Sequence, residues 1–334
     1  MSVTIKDVAR VAGVSPSTVS RVISNSDSIS DKTKRKVRMV MEELKYYPNI
    51  NARSLVSKSS RIIGLVLPNN TDTFYQNPFF PTVLRGLNEI AELEEYSLLL
   101  SSANTEEEQL ERIKTMAYGK QVDGLIFLYA RLEDKIADFL ESIDFPFVVI
   151  GTPNKKRINS VDNDNEAMAY DLTDELIKEV GSNIAFIGGD RAQNFINLRY
   201  KGYQKALVDN GISVNSQYVF NDFQFLTNVG YDLSKQLIEM PDLDGIVIAD
   251  QLIARGVRAG WEHFGKKAIM TATFKAFDSQ QLSERQNEIY MDINAQQLGR
   301  RAVAILLDVI KYQSEEGSAH RYYQEVIEAE LIRI

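Results

Sequence analysis

The chain has 334 residues, 44% hydrophobic and 25% charged, with a formal net charge of −8 and no cysteine. That length predicts two or three units of a globular protein, and the missing thiols exclude disulfides, thiolate metal sites and cysteine nucleophiles. The longest apolar runs, such as IIGLVL at 62–67, fall far short of a membrane span, and no signal-peptide core is present, so a cytoplasmic protein without a membrane partner is expected.

The charge is uneven. Residues 1–60 hold 11 Lys and Arg against 5 Asp and Glu, whereas residues 61–334 hold 27 against 41. A basic head on an acidic body predicts a polyanionic partner for the head alone.

In the head, Ile5, Val8, Ala9 and Ala12 repeat at the spacing of one helical face, with Thr4 as N-cap and Asp7 in the first turn. Gly13 ends that helix at the position where a left-handed residue costs least. Ser15 then caps a second helix with Pro16 at its first position, where the missing N–H costs nothing. Val19, Val22 and Ile23 give it a buried side, while Ser17, Ser20, Arg21 and Ser24 face outward. Two short helices around a tight glycine turn make a helix-turn-helix, whose second helix enters the DNA major groove. There an arginine can bridge guanine O6 and N7, and hydroxyls can meet any base edge.

Ser30 and Asp31 open a third helix with Val37, Val40, Met41 and Leu44 inside and Lys32, Lys34, Arg35, Lys36 and Arg38 outside. Pro48 stops it before NINARSLVSKSS, whose first nine residues form a helix too short to stand alone in water.

The stretches VTIKDVARVAGVSPSTVSRVI, ELKYYPN and NARSL, in this order and spacing, resemble the lactose/galactose repressor family of bacterial regulators. The resemblance implies a hinge helix that folds on the operator and pairs across a homodimer, with Leu55 wedged into the minor groove. By position it places Thr4, Ser15, Pro16, Ser17, Thr18, Ser20, Arg21, Ser28 and Thr33 of the head on DNA, with Asn49, Ala52 and Leu55 of the hinge. Ser24 stands where many members have asparagine, and Pro16 has no donor to offer, so base reading there falls to apolar contact or to Ser17.

From Arg61 onward short apolar strands alternate with helices: RIIGLVLP, YSLLLSS, DGLIFLY, FPFVVIG, NIAFIGG, DGIVIAD and the less regular MTATFKAFD. This predicts parallel sheets with crossover helices. VDGLIFL at 122–128 echoes LDGIVIA at 243–249, which predicts two similar α/β halves and a ligand cleft at the carboxyl ends of their strands. The family body resembles periplasmic sugar-binding proteins, so the expected fold is α plus α/β. A helix-turn-helix head spans 1–47, a hinge and linker 48–60, and a two-subdomain core 61–334. Its first half is expected at about 61–160 plus 293–322 and its second at about 161–292 plus 323–334, the closing AELIRI reading as a strand.

Chemistry of other kinds finds little support. NTEEEQLE at 104–111 reads as a capped, acid-rich first turn. VDNDNE at 161–166 lacks the glycine and glutamate of a calcium loop, so no metal is expected. Gly188-Gly189-Asp190 is not a dinucleotide fingerprint, the two histidines are far apart, and no GxSxG occurs, so no cofactor and no catalytic residue are assigned. His263 reads as a surface or cap residue.

For the effector, the resemblance implies Arg199 in LRYKGY and Asp278 in AFDS as polar partners, Phe79, Phe80 and Phe223 as aromatic walls, and Asp164 and Asp250 as further contacts. Asn194 and Asn197 lie just before Arg199 and are candidates for hydroxyls. Aromatic faces pack on the C–H patches of a sugar while Asp, Asn and Arg share its hydroxyls. QNPFFPTVLRG, QVDGLIFLY, PFVVIG and SVDNDN look most like the maltose-operon repressors of Gram-positive bacteria. The expectation is a homodimer on a pseudo-palindromic operator, released by maltose or a maltodextrin, and nucleoid-associated while DNA-bound. Its dimer face is expected on 79–94 and 96–120. A catabolite-control-type regulator answering to a phosphorylated partner protein is the alternative within the class, and a sugar carrier or sugar-processing enzyme is the remote one.

Overall fold

The computed structural model describes residues 3–47, 59–68, 71–130, 135–155, 157–265, 269–276, 287–314 and 322–333. The chain divides into two compact units, residues 1–60 and 61–334.

The first unit is a three-helix head: α1 (Ile5–Ala12), α2 (Pro16–Ile23) and α3 (Asp31–Glu43). Thr4 is extended before α1, and the Asp7 carboxylate accepts hydrogen bonds from its N–H at 3.0 Å and its hydroxyl at 2.7 Å. Gly13 takes φ +64° and turns the chain, so that the Val14 N–H reaches back to the Ala9 carbonyl. Ser15 and Ser30 cap α2 and α3 by accepting from the N–H groups of Thr18 and Thr33. Val8, Ala9, Ala12, Val19, Val22, Val37 and Val40 form the core, flanked by Ile5, Ile23, Met41 and Leu44. Every inner face expected from helical spacing is therefore present. The outer face of α3 differs in one respect: Lys34 donates to the Asn25 carbonyl and Arg38 to its side-chain oxygen, so both also fasten the turn after α2. The hinge helix expected at 49–57 lies outside the described residues.

The second unit holds two six-stranded sheets. The first half contributes β1 (Ile62–Val66), α4 (Thr71–Gln76), α5 (Phe79–Leu93), β2 (Ser97–Ser101), α6 (Glu106–Tyr118), β3 (Gly124–Phe127), α7 (Lys135–Ser142), β4 (Phe147–Ile150) and β5 (Ser160–Asp162). The second half contributes α8 (Asn165–Val180), β6 (Ile184–Ile187), α9 (Asn194–Asp209), β7 (Val219–Phe220), α10 (Thr227–Ile238), β8 (Gly245–Ile248), α11 (Gln251–His263), β9 (Met270–Lys275) and β10 (Glu288–Asp292). The chain then returns with α12 (Ala295–Ser314) and β11 (Gln324–Val326) to the first sheet and ends with β12 (Glu330–Arg333) in the second.

The orders are β11-β5-β4-β3-β1-β2 and β12-β10-β9-β8-β6-β7, parallel throughout except for the antiparallel β10–β12 pair. The echoing segments become β3 and β8, which hold the same place in the two sheets. Alternation drives the layering. Leu125 and Phe127 pack with residues of α6 and α7, while Ile126 joins the larger core. The α5 and α12 backbones nearly touch: a Cβ on Gly86 would stand 2.0 Å from the Gln296 carbonyl oxygen, and one on Gly299 2.3 Å from that of Val83.

All eight expected strands are present, the closing AELIRI as β12. The halves exchange chain a few residues later than the sequence suggested, because β5 and β11 pair with each other in the first sheet although residues from 161 and from 323 read as second-half. The three crossings are tied together by one amide. The Asn163 side chain, buried, donates to the carbonyls of Ile293 at 3.1 Å and Ile327 at 2.9 Å.

Candidate DNA-reading face and ligand cleft

On the head, Ser15, Pro16, Ser17, Arg21 and Ser28 are exposed, as is Thr4, while Thr18, Ser20 and Thr33 are half-buried. The hydroxyls are pre-ordered in short local sets: Ser15 Oγ lies 2.7 Å from Ser17 Oγ and 2.9 Å from Thr18 Oγ1, Ser26 pairs with Ser28, and Ser30 with Thr33. Arg21 has no carboxylate within ion-pairing distance among the described residues, so its guanidinium remains available. Asn49, Ala52 and Leu55 lie outside the described residues.

The core carries a cavity of about 260 Å³, just below the ~300–1,000 Å³ usual for small-molecule sites. It opens at the carboxyl ends of both sheets, lined by residues that follow β1, β3, β4, β6, β7 and β8. Each sheet reverses its order between β1 and β3 or between β6 and β8, where doubly wound folds bind ligands.

Arg199, on α9 and 7% exposed, is the polar centre. Its Nε donates to Asn165 Oδ1 at 2.9 Å and its NH1 to the Ala249 carbonyl at 2.6 Å. The guanidinium lies 3.8 Å from the Phe274 ring centre and 4.8 Å from that of Phe195. Burial pushes its pKa down to about 10, with Asp162 and Asp250 opposing, so it stays charged at neutral pH.

The two carboxylates are pushed up by the same burial and pulled down by their hydrogen bonds. Asp162 accepts from the Thr152 hydroxyl at 2.7 Å, the Asn165 amide at 3.0 Å and the Asn163 N–H at 2.8 Å. Asp250 caps α11 through the Leu252 N–H at 2.7 Å and accepts from Asn77 Nδ2, also at 2.7 Å. Phe79, Phe80 and Phe223 supply aromatic surface. One fixed cation, two carboxylates and several amides over apolar rings suit an uncharged, hydroxyl-rich ligand with apolar faces.

Of the residues expected to meet an effector, Phe79, Phe80, Arg199, Phe223 and Asp250 line this cavity. Three others do not, Asp164 and Asn197 because they bond locally and Asn194 because it bonds to the first half. Asp164 turns to cap α8 through the Ala167 N–H, Asn194 Nδ2 donates to the Thr152 carbonyl, and Asn197 Nδ2 donates to that of Arg191. Asp278 lies outside the described residues. Sequence reasoning missed Asn77, Asn165, Phe195 and Phe274, and met Asp162 only as a calcium-loop mimic. Their one shared signal is position, at or just beyond strand ends and helix starts.

Residues 4–49 match the bacterial regulatory proteins of the lacI family, and residues 60–327 match the periplasmic binding proteins and sugar binding domain of the LacI family. The HTH-type transcriptional regulator MalR of Streptococcus pneumoniae is 41% identical over 334 residues, 99% of each chain. Catabolite control protein A of Priestia megaterium is 30% identical over 286 residues, 85% of this chain and 84% of that one. In fold, the lac repressor dimer bound to operator and the anti-inducer ONPF aligns with a TM-score of 0.83 at 22% identity, over 100% of this chain and 98% of that chain.

Proposed function

The chain belongs to the lacI family of bacterial regulatory proteins, and from that premise we propose a sequence-specific transcriptional repressor that binds a pseudo-palindromic operator as a homodimer and releases it when maltose or a maltodextrin enters the cleft. The observation that carries the sugar reading is the cavity itself, which buried Arg199 and Asp250 and half-buried Asp162 line together with aromatic rings. The full-length likeness to MalR supports maltose among sugars.

In this reading the exposed face of α2 reads base edges with Ser17, Thr18, Ser20 and Arg21, while Thr4, Ser15, Pro16, Ser28 and Thr33 position the head. Asn49, Ala52 and Leu55 act from the hinge, and Asp278 joins Arg199 on the sugar. The dimer face runs over α5, β2 and α6, a choice supported by the exposure of Leu93, Leu99, Leu100 and Tyr118 there. Sugar binding shifts the two halves by preferring one arrangement, a coupling of about 1–3 kcal/mol in typical cases.

Calorimetric titration of maltose, maltotriose and glucose into the full chain tests the effector. Saturable heat with maltose or maltotriose and none with glucose is expected. No heat from any of them, with operator binding intact, favours the second reading, a regulator answering to a phosphorylated partner protein, to which the likeness to catabolite control protein A points.

A further inference from the structure

Two hydrogen-bonded side chains span the cleft: Asn194 of the second half, which donates to the Thr152 carbonyl, and, from the half opposite Arg199, Asn77. Asn77 sits between α4 and α5 in the first half and is 6% exposed. Its Nδ2 donates to Asp250 Oδ2, in the second half, at 2.7 Å. Its Oδ1 accepts from the Phe79 N–H at 3.0 Å and from Gln251 Nε2, again across the cleft, at 3.3 Å. The same amide thus fixes the start of α5, which carries the cavity aromatics Phe79 and Phe80, and the start of α11, which Asp250 caps. Asn77 and Asp250 are 173 residues apart, so this bond has no role in local chain folding.

We propose that Asn77 is the latch of the cleft, a positioning residue that holds the two halves together and sets the spacing between the Phe79–Phe80 wall and Asp250. An asparagine suits the task because it offers a donating NH2 and a twice-accepting oxygen at the same reach. The donor takes a carboxylate of the far half, and the acceptor collects an N–H from each half. Losing it leaves the buried Asp250 without its side-chain donor and opens a gap in the wall. The proposal deepens the sugar reading and rests on it for the consequence to affinity; the latch itself does not depend on which ligand binds.

The chain lacks cysteine, so spin labels at Lys135→Cys on α7 and Gln236→Cys on α10, both exposed sites, report the spacing of the halves without interference. With labelled chain diluted in unlabelled chain and no ligand, Asn77→Ala is expected to lengthen and broaden the distance distribution. The double exchange Asn77→Asp with Asp250→Asn is expected to restore it. There the single donor moves to position 250, while Phe79, Gln251 and Leu252 keep their acceptors and the net charge is unchanged. With maltose as probe, Asn77→Ala weakens binding about tenfold. Identical distributions for Asn77→Ala and parent overturn the latch, as does an exchange no closer to parent than Asn77→Ala. Parent that binds no maltose but opens on Asn77→Ala removes the maltose reading and leaves the latch standing.

Discussion

The head and the cleft place their working side chains oppositely. On the head, Arg21, Ser17 and Ser15 stand in solvent, while Val8, Val19, Val22, Val37 and Val40 hold the fold from inside. In the cleft, Arg199 and Asp250 are buried, and in the proposed function they serve both purposes, because the bonds that aim them also join α9 to the end of β8 and the second half to the first. A surface that reads can be varied without touching the core beneath it. A pocket that binds draws its polar groups out of water, and each must be partnered or the fold weakens.

The sharpest way to break this contrast is to truncate a central group on each side. Arg199→Ala strands Asn165 Oδ1 and the Ala249 carbonyl and removes the positive charge near Asp162 and Asp250. Urea unfolding should show a loss of about 3 kcal/mol or more; a stable, merely ligand-blind variant would mean that the cleft separates function from fold as the head does. Gly86→Ala isolates pure packing in the other half, since its Cβ meets a backbone oxygen that cannot rotate away. It should cost about 1–3 kcal/mol in the same assay with the cleft side chains unchanged.

Arg21→Ala is the counterpart on the head. Its thermal midpoint should match the parent, while operator affinity falls by about 1–3 kcal/mol and preference relaxes at one base position. A protein that melts earlier would show that the head, too, mixes the two purposes. The smallest effect is expected at Asp7, whose carboxyl the Thr4 hydrogen bonds hold below its ordinary value. A depressed acid stabilises the fold above its unfolded value of 3.8 and loses that contribution as pH falls through the folded value. Asp7→Asn should therefore melt slightly below the parent at neutral pH, and the gap should close on acidification.

The same contrast explains what the sequence disclosed. The head was legible to the residue because capping, a glycine turn and helical spacing are local signals: Thr4, Gly13, Ser15 and Ser30 do what their neighbours predict. Six strands were legible because buried parallel strands are continuous apolar runs, and β2 because its SLLL run is apolar even though it is largely exposed. β5, β7, β10 and β11 were not: SVD, VF and QEV are too short to show any period, and EIYMD carries an acid at each end of a three-residue apolar run. The cleft was half legible. Its aromatics and Arg199 stood out in the family resemblance, but Asn77, Asn165 and Phe274 acquire meaning only from partners far along the chain. Asn194 and Asn197 misled by being close to Arg199 in sequence, whereas the first amide serves the Thr152 carbonyl of the other half and the second that of Arg191.

The link between these two regions is tested most directly by fluorescence anisotropy of a labelled pseudo-palindromic operator titrated with the full chain, with and without saturating maltose. The account predicts binding that weakens steeply with salt, as phosphate contacts release counterions, and that maltose abolishes at fixed salt. Operator binding of equal affinity with and without maltose would contradict it.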